Sequence, residues 1–325
     1  MTRVLTHRAI VRAGIGVAVA GVAIAAGSTA TAGARVHRSV QAEATPRSAN
    51  QLAIIDSDYA TVPPSASRLT LTLSATKTVG LPSTLAPGYH TFVLRQKGRN
   101  IRDLAVVRFT DPTYDVKKLN RDINALFASQ TFAARAYHRI ITRSTITGAV
   151  SAAGAGDVGS LVGMKLKAGA TYAFVNTPDN NNGPNVVTVV KAAGPAIAAQ
   201  PRYTATVRQS EYKFAAAGLR AGTQLVRVQN AGSQLHELAM VLITDPTKSE
   251  QDAVDALENS GPDSAPPSWL QDAGFGGFHT PKDTEYLRLR LAHGDRLLLV
   301  CFMPDPLSHG TPHIFRGMHT LVTIP

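Results

Sequence analysis

The same strand-and-stop pattern occurs twice in this chain, and that repetition constrains the fold more than any other feature. Arg102-Asp103-Leu104-Ala105-Val106-Val107-Arg108-Phe109 ends on Thr110-Asp111-Pro112, and His236-Glu237-Leu238-Ala239-Met240-Val241-Leu242-Ile243 ends on Thr244-Asp245-Pro246. A helical stretch follows each stop. Val116, Leu119, Ile123 and Leu126 mark one helix face in the first copy, and Val254 with Leu257 does so in the second. Asp-Pro suits helix entry, because proline is tolerated in the first turn. The later parts also correspond. Asn176 follows Gly169 by seven residues and Cys301 follows Gly294 by seven, each after an apolar run. Gly183-Pro184-Asn185 matches Gly310-Thr311-Pro312-His313, and each copy closes on an apolar, β-branched run, Val186–Val190 and Leu321–Ile324. The chain thus duplicates a unit of roughly 130 residues. Short strands separated by turn signals predict a β-sandwich for each copy, with one helical excursion. A length of 325 residues and a hydrophobic share of 44% supply material for two cores.

The start of the chain reads as an export signal over 1–32. Arg3, Arg8 and Arg12 form a basic region, Ala13 to Ala26 is an uncharged apolar run, and Ala30-Thr31-Ala32 offers a small-x-small cleavage site. The run is short for a membrane span, so an uncleaved anchor is the second reading and no span is expected after cleavage. A polar, Ala-rich segment, 33–50, is expected to be flexible. The first sandwich is placed at 51–191, an Ala/Gly/Pro linker at 192–201 and the second sandwich at 202–325. The formal charge is +11, with lysines and arginines scattered rather than gathered in a stripe, so nucleic acid is not the expected partner. Neither a Ser/His/Asp triad nor a phosphate-binding glycine loop is visible.

Cysteine use is the most informative part of the composition. The chain has one Cys, which excludes an intramolecular disulfide in an oxidising compartment. A lone thiol there is either buried and inert or held by something such as a metal. Cys301 closes a strongly apolar strand, and eleven residues separate it from His313, which four residues separate from Met318. His236 lies at the end of the turn that begins at Asn230. Two imidazoles, a thiolate and a weak thioether form the ligand set of mononuclear blue copper sites. Strand alternation places His236 with Leu238, Met240 and Leu242, Cys301 with Leu297 and Leu299, and Met318 with Thr320, Val322 and Ile324. His309 competes with His313 for the second imidazole, and the spacing to Met318 favours His313. His319, His279 and His293 are read as surface residues and Met303 as packing. Glu237 is either a hydrogen-bonding neighbour of the site or a solvated carboxylate.

These residues resemble the cupredoxin family, of which plastocyanin and azurin are members. Glu211-Tyr212-Lys213-Phe214, Ala221-Gly222-Thr223 and Val228-Gln229-Asn230 before His236 add to the likeness, which covers 202–325 clearly and 55–191 only through the duplication. The resemblance implies an all-β fold of two tandem Greek-key sandwiches. It also implies one copper ion on His236, Cys301, His313 and Met318, and electron transfer through an exposed imidazole edge at His313. Two departures stand out: the loop from Cys301 to His313 is long, and Glu237 occupies the place of the asparagine that braces the ligand loop in plastocyanin and azurin. In the first copy Arg102, Asn176 and Asn185 replace the ligands, so that half is expected to be metal-free. The expectation is an exported one-electron carrier, with a redox protein or a copper donor of the cell envelope as partner. Copper storage or delivery, a metal-free binding module, and zinc in place of copper are the alternatives. An oxidase or reductase is disfavoured, because Val300 and Phe302 flank Cys301 where a relay histidine would stand.

Overall fold

The computed structural model describes residues 67–97, 102–128, 133–152, 158–178, 185–197, 200–260 and 266–325. The export signal and the segment 33–50 lie outside the described residues.

The first half runs β1 (Ser67–Leu73), β2 (Thr78–Val79), β3 (Thr84–Leu85), β4 (Gly88–Gln96), β5 (Arg102–Phe109), the helices α1 (Val116–Ala128) and α2 (Ala134–Arg143), then β6 (Ser144–Ala152), β7 (Val158–Leu166), β8 (Thr171–Pro178) and β9 (Val186–Ala192). The second half runs β10 (Ala205–Ser210), β11 (Lys213–Ala217), β12 (Gly222–Asn230), β13 (His236–Ile243), α3 (Glu250–Asn259), β14 (Leu270–His279), β15 (Thr284–Leu291), β16 (Arg296–Val300) and β17 (His319–Thr323).

The pairing scheme repeats. β4 pairs β1 in parallel and β7 antiparallel, as β12 pairs β10 and β15. β5 lies between β6 and β8, as β13 lies between β14 and β16. Register is kept as well: Ala105 faces Val175, and Ala239 faces Val300. Each half is therefore a β-sandwich of cupredoxin-like arrangement, as expected. Period-2 burial builds the cores. In β12, for example, Gln224, Val226, Val228 and Asn230 point inward while their neighbours are less buried. The first core gathers Leu71, Phe92, Leu104, Met164, Phe174 and Val190. The second gathers Val207, Val226, Leu238, Met240, Leu289, Leu297 and Leu299, and it includes Cys301 and Met318.

The shared Asp-Pro has a different job from the one expected. Asp111 Oδ1 accepts the N–H and hydroxyl of Thr113, and Asp245 Oδ1 accepts those of Thr247. These are side-chain turns that stop the strand. Helix entry comes later: the Asp115 carboxylate accepts Lys118 N–H at the start of α1, and Ser249 with Asp252 forms a capping box on α3. α2 was not anticipated.

The halves are joined by more than chain. β15 and β7 continue one sheet through the Tyr286–Val162 pair, and Thr280 N–H reaches Ile146 O across β14 and β6. Ala149 of β6 packs with Ala239, Val241 and Phe275 of the second half. The expected linker folds back on the first half: Ala193 and Ile197 donate N–H to Leu85 O and Pro87 O.

Candidate metal centre

The first imidazole is delivered by a stapled turn. Asn230 donates from Nδ2 to the carbonyls of Gln234 and His279, both at 2.7 Å, and accepts Gly232 N–H at 2.8 Å. That holds the chain from the end of β12 to His236, the first residue of β13.

The remaining three residues come from one self-clamped loop. His313 N–H donates to Met303 O at 2.9 Å, Ile314 N–H to Cys301 O at 2.7 Å, and Met318 N–H to His313 O at 2.9 Å. A 3-10 turn spans His313–Arg316 and ends on Gly317 at φ +93°, a left-handed conformation that glycine adopts without strain. The long insert closes on itself as a side loop: Pro304 pairs with Pro312, and Asp305 O accepts Gly310 N–H. His309 stands exposed in that side loop, so it is His313 that faces the thiol.

His236, Cys301, His313 and Met318 are all fully buried. Cys301 Sγ lies 3.4 Å from His313 Nδ1 and 4.0 Å from His236 Nδ1, and the two Nδ1 atoms are 3.2 Å apart. Met318 is brought to the same core cluster as Cys301, and its carbonyl accepts Cys301 N–H at 3.3 Å. No other group of three His, Cys, Asp or Glu side chains able to hold a metal occurs among the described residues.

The outer nitrogens of both rings face acceptors on two neighbouring turns, Gln234 between β12 and β13 and Glu211 between β10 and β11. His313 Nε2 lies 2.9 Å from Gln234 Oε1, and His236 Nε2 lies 4.0 Å from Glu211 Oε1 with no hydrogen-bond partner of its own. Glu211 is anchored by the N–H groups of Ser233 and Gln234. A proton on each Nε2 leaves both Nδ1 lone pairs turned to the sulfur, which is the tautomer a cation requires. Glu237 N–H donates to Cys301 Sγ at 3.4 Å, a contact that favours thiolate. Burial and the neighbouring Glu237 nonetheless push the metal-free thiol's pKa well up. Burial, with the second imidazole beside it, lowers His236 to about 3, and burial lowers His313 to about 4. The donor set is thus held neutral and close, and a soft cation that displaces the thiol proton fits it.

Several residues differ from their sequence reading. Glu237 is not solvated: it is fully buried, burial raises its pKa to about 8, and its Oε1 accepts Phe302 N–H at 2.6 Å. It ties β13 to the ligand loop where an asparagine was missing. His279 is not at the surface but buried, at 2.7 Å from Glu285. His319 is half-buried and bonds Glu250 at 2.6 Å. His293 is exposed. The exposed edge expected at His313 does not exist: Tyr212 stands edge-on to that ring at 5.7 Å, under the Arg316 guanidinium. Gln234, Glu211 and Tyr212 were missed as site residues, although Glu211 and Tyr212 open the quoted Glu-Tyr-Lys-Phe phrase.

In the first half the equivalent position is filled without a metal group. Arg102 Nε donates to Asn176 Oδ1, and Asn176 Nδ2 donates to Ser74 O at 3.0 Å. Asn185 turns away to Asn120 and Asn124.

No family model and no curated protein matches the chain. Among solved structures it is similar to a dithionite-reduced auracyanin from Roseiflexus castenholzii, at 15% identity over 37% of this chain and 94% of that one, with a TM-score of 0.25. It is similar to auracyanin A, a blue copper protein from Chloroflexus aurantiacus, at 15% identity over 37% and 99%, TM-score 0.21. A copper-containing nitrite reductase from Thermus scotoductus matches at 11% identity over 79% and 61%, TM-score 0.20. At such scores function must be read from the site itself.

Proposed function

We propose that the protein is an exported copper protein that carries one electron at a time, with copper held by His236, Cys301, His313 and Met318. The carrying observation is the convergence of two Nδ1 atoms and one Sγ within 3.2–4.0 Å in a fully buried pocket. The thioether of Met318 on the same loop favours copper over zinc, whose closed sites take four N, S or O donors. Bound copper would supply a reversible Cu(I)/Cu(II) couple. The chain's own residues do the rest. Asn230 and Glu237 fix the backbone on either side, Gln234 and Glu211 orient the imidazoles, and the apolar core excludes water. With both imidazoles buried, Tyr212 is the aromatic side chain between His313 and solvent, and a redox partner would meet the protein there. The absence of histidine beside Cys301, where Val300 and Phe302 stand, favours a carrier over a reductase or oxidase. Storage or delivery with a copper donor as partner is the second reading, because the loop's closure also suits tight retention. No helix among the described residues is long and apolar enough to cross a membrane.

Copper(II) loading of the purified protein tests the proposal. An intense blue thiolate charge-transfer band is expected, and it should vanish in Cys301→Ala. Failure to bind copper, or a band that survives Cys301→Ala, overturns the site. Reversible voltammetry separates a carrier from a store. N-terminal sequencing of the exported protein should begin at Gly33.

A further inference from the structure

The helical excursion of the first half lies against the centre in the second. Tyr137, on α2, is 2% exposed, and its hydroxyl accepts the N–H of Leu235 at 2.9 Å. Leu235 directly precedes His236. The Leu235 side chain packs into a cluster with Leu119, Tyr137 and Ile140 of the helices and Tyr114 just before them, and Met303 packs against the same cluster. Met303 is two residues beyond Cys301, and its carbonyl accepts His313 N–H at 2.9 Å. The segment that delivers His236 is therefore pinned by side chains from the other half, and Met303, on the other donor segment, rests on the same cluster.

We propose that the α1–α2 hairpin is the cover of the metal centre, and that Tyr137 is a positioning residue which holds His236 through Leu235. This rests on the copper reading for its spectroscopic arm only. A metal-free half then has a reason to exist: it completes the wall of a pocket that residues 202–325 leave open on one side.

The test uses the full chain and two conservative variants. Tyr137→Phe removes only the hydroxyl that reaches Leu235. Tyr172→Phe is the control, since its buried hydroxyl accepts a backbone N–H of the same kind, that of Lys167 at 2.7 Å, within the first half and outside the hairpin. The first readout needs no metal. Cys301 is the only thiol, so its alkylation rate in metal-free protein reports opening of the pocket. Tyr137→Phe should raise that rate about tenfold under conditions where the protein stays folded, and Tyr172→Phe should leave it within about twofold of wild type. The second readout is the copper(II) protein. Tyr137→Phe should shift the charge-transfer band and the copper hyperfine splitting and speed copper(I) loss to a chelator, and Tyr172→Phe should do neither. Equal alkylation rates for wild type and Tyr137→Phe overturn the cover. So does acceleration by both variants alike, which would mark general loosening. If wild type binds no copper but the alkylation contrast holds, the cover stands and the copper reading falls.

Discussion

At the residue scale, the pocket depends on side chains that touch its donors rather than on the donors alone. Glu211 holds the turn that faces His236 through the N–H groups of Ser233 and Gln234, and its Oε1 lies 4.0 Å from His236 Nε2. Glu211→Ala should weaken copper binding by roughly 10–100-fold in a competition titration, because an unoriented imidazole must be ordered at the moment of binding. Glu237 tests the loop's brace. Glu237→Ala leaves Phe302 N–H buried without an acceptor and should cost about 1–3 kcal/mol in urea unfolding. Glu237→Gln retains the acceptor and should stay close to wild type. The convergence of His236, Cys301 and His313 was legible at this scale, because a lone cysteine and a His-x4-Met spacing are chemical signals. The fate of Glu237 was not: its partner, Phe302, is 65 residues away in sequence.

At the scale of elements, the α1–α2 hairpin turns on one carboxylate. Asp122 is fully buried and bonded by Arg139, Arg121 and Tyr114. Burial alone would raise its pKa, but these hydrogen bonds outweigh burial and hold it at about 2, below its ordinary value near 3.8. The unfolded chain therefore takes up the proton first. The stabilisation is complete above about pH 4 and is lost as pH falls toward 2, about 2 kcal/mol in all. Asp122→Asn should remove that acid dependence and lower stability at pH 7 by a similar amount, read from urea midpoints at both pH values. The hairpin's first helix was visible in the spacing of Val116, Leu119, Ile123 and Leu126. Its second was not, because α2 is ten residues long and apolar only where it meets Leu235. The Asp-Pro repeat marked the right place with the wrong role, since an aspartate side-chain turn and a helix cap share the same residues.

At the scale of the whole molecule, the halves share a sheet and two packed clusters, and so should unfold together. Scanning calorimetry should give one transition whose calorimetric and van't Hoff enthalpies agree. Gly277 probes the contact. It sits at φ +82°, where an added Cβ would lie 2.5 Å from Ala149 O, a backbone atom of the other half. Gly277→Ala must strain its own backbone and push β6 from β14. A loss of about 2–4 kcal/mol is expected in chemical unfolding, with both halves affected.

The sequence by itself determined the duplication, the β-sandwich of each copy and the residue types that come together at His236, Cys301 and His313. All three are local: strand periodicity, turn chemistry and residue type are written in neighbouring positions. Only the tertiary structure decided that His313 is sealed rather than exposed, that Glu237 ties β13 to the chain after Cys301, and that the helices of the first half pack on Leu235 beside His236. Those outcomes depend on which distant segments meet. Tyr137 and Leu235 are far apart in the chain, and no spacing along it records that one hydroxyl reaches the other's backbone.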